Sequence, residues 1–295
     1  MQPSIQSIEA SISGATSQTF RCESRDPVAG GCINQCVVLR GGGRQYFVKL
    51  NRPGQRDMFE AEADGLAALA ETGSIRVPQV VCTGVDTASS WLVLEFLALG
   101  RGRGDTSAAM GEALARLHGI RQRGFGWQRD NYIGTTPQPN GFANSWPEFY
   151  ARQRLEYQLD LASGNGLRGE SMEVGQRLIE NLYGLFTDYQ PEASLLHGDL
   201  WGGNAAALES GEPVLFDPAV YIGDREADLA MTELFGGFSR EFYAAYDGAW
   251  PLDVGYAVRK NLYNLYHVLN HYNLFGGGYG SQAASMMRGL LAELI

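Results

Sequence analysis

The apolar residues change period near Gly100, and that change limits this chain to a mixed architecture. Before Gly100, short strand-like runs dominate, with one helix among them. Residues 18–23 and 36–40 read as strands, and Gly41-Gly42-Gly43 reads as a hairpin turn. Residues 45–50 return with Tyr46, Val48 and Leu50 on one face and Phe47 and Lys49 on the other. A helix is expected over 56–71, because Phe59, Ala63, Leu66 and Ala70 form one stripe. After Pro78, residues 80–85 and 91–97 read as two further strands. Beyond Gly100 a polar, glycine-rich stretch (101–105) reads as a linker, and Asp105 or Thr106 can cap a helix lined by Met110, Leu114 and Leu117. Helical spacing then recurs near 146–163, 171–187, 226–235, 239–247, 254–273 and 280–294, broken only by strand-like 205–208 and 213–217. The expected fold class is α+β: a small antiparallel β-rich lobe over residues 1–98, then a larger, mainly helical lobe over 99–295.

Composition removes several functions. With 44% hydrophobic and 19% charged residues, the chain can bury a core and is not disordered. A formal net charge of -10 argues against nucleic acid as a partner, since phosphate backbones need basic surfaces. The longest apolar run, 91–99, is interrupted by Glu95 and too short to span a bilayer, so no membrane partner is expected. The N-terminal residues lack the basic start and apolar stretch of a signal peptide. The four cysteines, at 22, 32, 36 and 82, form no C-x-x-C pair. A cytoplasmic protein with reduced thiols is the expectation.

The segment 195–204, Leu-Leu-His-Gly-Asp-Leu-Trp-Gly-Gly-Asn, carries the strongest chemical signal. An Asp followed five residues later by an Asn, then a hairpin ending in Phe216-Asp217, is an arrangement suited to phosphoryl transfer. Asp199 is the candidate catalytic residue, accepting a hydrogen bond from the attacking hydroxyl. Asn204 and Asp217 offer hard oxygen atoms to Mg2+, which neutralises charge on the phosphates of ATP. A turn that merely ties down a loop would not need Asn204 and Asp217 at these spacings. Lys49, on a strand and followed by a helix bearing Glu60 and Glu62, fits an ion pair that holds ATP phosphates. Glu62 shares the inner face with Leu66 and Leu69 and is preferred, with Glu60 as the alternative. Gly30 and Gly31, with Asn34, form a turn one strand earlier that can bring backbone N–H groups to phosphates. Cys32 lies in this turn, where the same N–H groups favour a thiolate and hence a redox response; Cys22 and Cys36 are the neighbouring alternatives. The segment 94–97, with Glu95 and Leu97, ends the small lobe and can offer backbone groups to an adenine edge.

On these residues the chain resembles the fructosamine kinase (ketosamine-3-kinase) family, within the two-lobed protein-kinase-like superfamily that includes aminoglycoside and choline kinases. The resemblance runs through GGCIN at 30–34, FVKLN at 47–51, MFEAEADGL at 58–66, FGWQRDNYIG at 125–134, HGDLWGGN at 197–204, FDPAVYIGDREADLAM at 216–231 and LNHYNLFGGGY at 269–279. HGD with a downstream Asn is common to many small-molecule kinases, whereas Trp201, DPA at 217–219 and the GGCIN loop are specific to this family. The resemblance implies ATP-dependent phosphorylation of the 3-hydroxyl of a ketosamine, either a small molecule or a glycated lysine on a protein. The 3-phosphate is unstable and breaks down to release the amine. A homodimer is compatible with it. Two readings compete: a kinase for another hydroxylated amine such as an aminoglycoside, and an inactive nucleotide-binding module. Trp201 can stack on the sugar or plug the core. His267 and His271, four apart on one helix face, are expected beside the substrate or within the core, without the third ligand a metal needs. Asp228 is expected to brace the catalytic loop.

Overall fold

The computed structural model describes residues 5–28, 33–100, 102 and 105–294. The chain divides into two compact units, one formed by residues 1–106 with 206–218 and the other by 107–205 with 219–295. The sequence places a boundary at 98/99; the structure extends the first unit to Thr106 and returns the hairpin 206–218 to it.

In the first unit, α1 (Ile5–Thr16) precedes β1 (Ser24–Val28), β2 (Gln35–Gly41) and β3 (Arg44–Asn51). Then come α2 (Arg56–Glu71), β4 (Val80–Val85), β5 (Ser90–Glu95) and β6 (Leu99–Gly100). Strands β1–β5 form one antiparallel sheet in the order β1-β2-β3-β5-β4. Alternation along β3 sorts its side chains as the sequence requires. Tyr46, Val48 and Leu50 join Val37, Leu39, Trp91 and Val93 in a buried cluster with Ile8 and Ile12 of α1. Lys49 lies opposite Cys36 and Leu92 in the ladder and therefore on the other face, where Glu62 of α2 meets it.

Helix α1 is not anticipated by the strand reading of the first third, although Ile5, Ile8 and Ile12 mark its apolar stripe. It also displaces the first strand. Residues 18–23 form no strand, and α1 side chains take two of their backbone N–H groups, while Glu23 N already donates to Arg40 O of β2 at 2.7 Å. Glu9 Oε1 accepts from Cys22 N at 2.7 Å, and Ser13 Oγ accepts from Phe20 N at 2.9 Å. The strand therefore begins at Ser24.

The second unit starts with α3 (Thr106–His118), whose first residue still belongs to unit one, and the hairpin β7 (Asn131–Ile133) and β8 (Thr136–Gln138). A long helical run follows: α4 (Trp146–Phe149), a π-helical stretch (Tyr150–Glu156) and α5 (Tyr157–Gly164). Next come α6 (Glu170–Asn181), β9 (Ala193–Leu196), β10 (Ala205–Leu208), β11 (Pro213–Leu215) and β12 (Tyr221–Asp224). The chain closes with α7 (Glu226–Leu234), α8 (Arg240–Ala249), α9 (Tyr256–Phe275) and α10 (Tyr279–Ala292). Strands β11, β10 and β6 form a small sheet of the first unit, while β9 pairs with β12 and β7 with β8 in the second. The helical core centres on Trp146, Phe149, Tyr150, Tyr221 and Tyr263, with Trp146 Nε1 donating to Tyr263 Oη at 3.0 Å. A buried ion pair, Arg259 Nε to Glu226 Oε2 at 2.8 Å, ties α9 to α7. Among the described residues, no helix is long and apolar enough to cross a membrane.

Ile12 is fully buried against the sheet. Ile12→Ala should therefore cost about 2–5 kcal/mol, the range for a large-to-small change in a close-packed core. A shift in the urea midpoint without a change in slope would confirm that α1 belongs to this core.

Candidate active site

The first unit builds its part of the site around Lys49. Strand β3 carries Lys49 on the face toward α2, and Nζ lies 2.5 Å from both Glu62 Oε1 and Asp217 Oδ1. Glu62, not Glu60, is the partner; Glu60 pairs instead with Arg56 one turn away. Burial opposes the Lys49 charge, but the two carboxylates outweigh it and hold the ammonium well above the ordinary lysine range. Burial, with Asp217 adding to it, raises the Glu62 carboxyl against the opposing pull of Lys49. Asp217 has a half-exposed side chain and a left-handed backbone, φ 58°, which few non-glycine residues adopt. Such strain persists where surrounding structure imposes it, commonly at functional sites.

Other expected residues of this unit are placed differently. Asn34 Oδ1 accepts from Asn51 Nδ2 at 2.8 Å, which ties the end of the loop to β3. Gly30, Gly31 and Cys32 lie outside the described residues. Burial raises the Cys22 and Cys36 thiols, and it pushes Cys82 to about 11, so none of these three is an activated thiolate. Glu95 ends β5 with its N–H bonded to Gln79 O, and its carboxylate takes Arg76 and the Gln79 N–H. Leu97 is half-buried in the extended segment that follows.

The second unit builds the HGD turn. Strand β9 pairs with β12 in register Leu196↔Tyr221 and delivers the chain to His197. Asp228, in the first turn of α7, receives three donors: His197 N at 2.7 Å and His118 Nε2 at 3.1 Å on Oδ2, and Gly198 N at 2.8 Å on Oδ1. Burial would raise this carboxyl, but the His118 hydrogen bond, the two nearby histidines and the Gly198 N–H keep it below its ordinary value. His118 continues through Nδ1 to Tyr246 Oη at 2.8 Å, so it acts on the turn through Asp228. His118 closes the amphipathic helix α3, and that position alone does not name its partner.

Gly198 has φ +81°, and a Cβ there would lie 2.0 Å from Ala219 O. Only glycine fits beside that carbonyl. Asp199 follows, half-buried, and Asn204 Nδ2 donates to its backbone O at 2.8 Å and its Oδ2 at 3.2 Å. This fixes which end of the Asn204 amide faces Asp199. Trp201 is 42% exposed, which excludes the core-plug alternative. A Cβ on Gly203 would fall 2.2 Å from its indole, so Gly203 is the seat on which the ring lies. His267 is buried beside Tyr266, and burial, then the charge of His271, lower its pKa to about 3. His271 Nδ1 bonds His267 O at 2.8 Å, and its ring packs against Phe235, Phe275 and Tyr279. Among the described residues, no three His, Cys, Asp or Glu side chains gather as a metal cluster. Magnesium is commonly held by one or two carboxylates plus waters and phosphate oxygens; the Asp217 carboxylate in the first unit and the Asn204 amide oxygen in the second are each donors of that chemistry.

Comparison with known proteins adds the wider context. The family described as fructosamine kinase matches residues 4–293. A Synechocystis protein provisionally named a ketoamine kinase is 52% identical over 96% of this chain and 95% of its own. An Arabidopsis thaliana protein named protein-ribulosamine 3-kinase, chloroplastic, is 44% identical over 90% of this chain and 82% of its own. A solved structure from Haemophilus somnus, provisionally titled a fructosamine-3-kinase, superposes with TM-score 0.88 at 31% identity, covering 96% of each chain. An aminoglycoside phosphotransferase with TM-score 0.61 and 12% identity, covering 97% of this chain and 98% of its own, shares the fold alone, which is the two-lobed protein-kinase-like fold expected from the sequence.

Two variants test this geometry. Gly198→Ala should lose at least about 1–2 kcal/mol to the left-handed backbone alone, and should cut activity further by displacing Asp199; calorimetry and turnover read the two effects. His267 has a depressed pKa, so its stability contribution is whole above pH 6.5 and is lost as pH falls toward 3. At pH 4.5 that loss is about 2–3 kcal/mol. His267→Gln should remove it, giving a shallower fall in stability between pH 7 and 4.5 than wild type.

Proposed function

The chain belongs to the fructosamine kinase family, and on that premise we propose that it transfers the γ-phosphoryl group of ATP to the 3-hydroxyl of a ketosamine. The observation that carries the reading is Lys49, buried between the Glu62 and Asp217 carboxylates while Asn204 orients Asp199. An ammonium held charged in this way can meet phosphate oxygens as a fixed cation rather than a mobile surface lysine. That charge also weighs against the inactive nucleotide-binding reading, since every polar group the reaction needs is present.

Asp199 accepts the hydrogen bond of the sugar hydroxyl and aligns its oxygen for in-line attack. Positioning of this kind, with electrostatic stabilisation, is most of what a phosphoryl transferase contributes. Asn204 holds the Asp199 carboxylate in one rotamer. Magnesium, when bound with ATP, would be held by Asn204 and Asp217 and would neutralise phosphate charge. Trp201, exposed and seated on Gly203, offers an aromatic face to the apolar side of a sugar or to a cationic amine. The exposed indole also suits a glycated lysine presented on a protein. Without further help from the enzyme the O3-phosphate leaves as inorganic phosphate by elimination, and water hydrolyses the remaining imine to free the amine and a deoxydicarbonyl sugar, so the net effect is deglycation.

ADP release should be measured with ribulose-lysine, fructose-lysine and kanamycin side by side, with phosphorus NMR locating the new ester. Turnover of a ketosamine with phosphate on O3, and none of kanamycin, is expected; the reverse would reassign the acceptor. Asp199→Ala should lower turnover by about 10²–10⁴-fold while ATP still binds. A folded variant that kept more than about a tenth of the rate would remove Asp199 from its role.

A further inference from the structure

The segment 130–140 belongs to neither cluster just described, yet it carries a chain of buried amides that ends on the backbone next to the HGD turn. Asn131 opens β7 and Gln138 closes β8, opposite each other in the hairpin register. Asn131 Nδ2 donates to Val220 O at 2.7 Å. Gln138 Nε2 donates to Ala219 O at 3.1 Å and to Asn131 Oδ1 at 2.7 Å. Asn140 Nδ2 also donates to Asn131 Oδ1, at 2.9 Å. Two groups orient these amides from behind. Arg154 Nη2 donates to Asn140 Oδ1 at 2.7 Å, and Tyr266 Oη donates to Gln138 Oε1 at 2.7 Å. An amide has a donor end and an acceptor end, so these bonds select one orientation for Gln138 and for Asn131.

The arrangement is expensive for a purely structural feature. Arg154 is fully buried, sits in the π-helical stretch, and its guanidinium lies 4.0 Å from the Tyr221 ring centre. Among the described residues its Nε has no hydrogen-bond partner. Buried charged networks of this kind are often matched or bettered in stability by apolar residues of similar volume, and π-helical insertions are frequent at functional sites. What the network grips is informative. Ala219 N donates to His197 O at 2.8 Å, and the Ala219 carbonyl is the atom against which Gly198 packs. The hairpin thus supports the HGD turn through contacts separate from those of Asp228.

We propose that Gln138 and Asn131 are positioning residues for phosphoryl transfer: with Arg154 and Tyr266 behind them, they hold the Ala219–Val220 carbonyls and so set the backbone that carries Asp199. The kinetic half of this proposal rests on the kinase reading above; the structural half does not. Neither residue touches the reacting atoms. Each acts through Ala219 or Val220 on His197 and Gly198, and a displacement of about 1 Å at a catalytic group can cost on the order of 10²-fold in rate.

Two variants test it. Gln138→Met keeps the volume and removes the donor; Tyr266→Phe keeps the ring and removes the hydroxyl that orients Gln138. Amide hydrogen exchange without substrate should speed up by about tenfold at Ala219 and Gly198 in Gln138→Met, and by less in Tyr266→Phe, with α10 unchanged. In the same samples, kcat per folded molecule should fall about 10–100-fold in Gln138→Met and at least about threefold in Tyr266→Phe, with the ATP KM within about twofold. If Gln138→Met does not fold, Tyr266→Phe carries both measurements. Unchanged exchange at Ala219 overturns the proposal, and so does faster exchange with kcat unaltered. A rate loss matched by the loss of folded protein overturns it as well. If wild type phosphorylates no ketosamine, the functional reading fails, and the exchange measurement alone decides whether the hairpin holds the turn.

Discussion

Three donors converge on the buried Asp228 carboxylate, and together they anchor the backbone of the HGD turn. Two of them are the successive N–H groups of His197 and Gly198. Neighbouring peptide N–H groups can point at one carboxylate only when the chain turns sharply, and the left-handed Gly198 makes that turn. The third donor, His118, ties the same carboxylate to α3 and, through Tyr246, to α8. Asp228 therefore couples the packing of helices to the place where Asp199 stands. A charged hydrogen-bonded group in a dry core is strong when satisfied and costly when broken, so the turn has one arrangement rather than several.

The first unit applies the opposite logic. Lys49 is a cation in a buried position, and its two carboxylate partners come from distant parts of the chain, Glu62 on α2 and Asp217 after β11. The pair keeps the charge on the lysine, and the lysine in turn gathers a helix and a loop around one strand. Return of the hairpin 206–218 to this unit has a clear consequence. The chain leaves Asn204, runs through β10 and β11 alongside β6, and delivers Asp217 to Lys49.

Much of this was legible in the residues. Helix α2 occupies the expected span because its stripe of Phe59, Ala63, Leu66 and Ala70 matches a period of 3.6, and strands β2 to β5 fall within a residue or two of the expected runs, with period-two alternation read in β3. The placing of Glu62 rather than Glu60 beside Lys49 followed from which helix face carries Leu66 and Leu69. The failures also have a common cause. Strands β7, β8, β9 and β12 are three or four residues long, too short to show a period; β7 and β8 pair as a local hairpin, whereas β9 and β12 are brought together from separate parts of the chain. Residues 18–23 look like a strand by composition, but Glu9 and Ser13 of α1 take the Cys22 and Phe20 N–H groups, and the ladder with β2 begins only at its end.

The sequence by itself determined the chemistry available to this protein: an Asp, an Asn and a second Asp at kinase spacing, a strand lysine with a glutamate one helix later, and a tryptophan next to glycines. Local spacing suffices there, because period and reach depend only on neighbours along the chain. Only the tertiary structure decided which groups keep those residues in position. That Asp228 takes His118 as well as the HGD turn, and that Gln138 and Asn131 grip Ala219 and Val220, depends on contacts between residues tens of positions apart. A buried amide or carboxylate has no period and no preferred neighbour in sequence. Its partner is chosen by the requirement that every polar group leaving water find another, and that requirement is met only once the whole unit has packed.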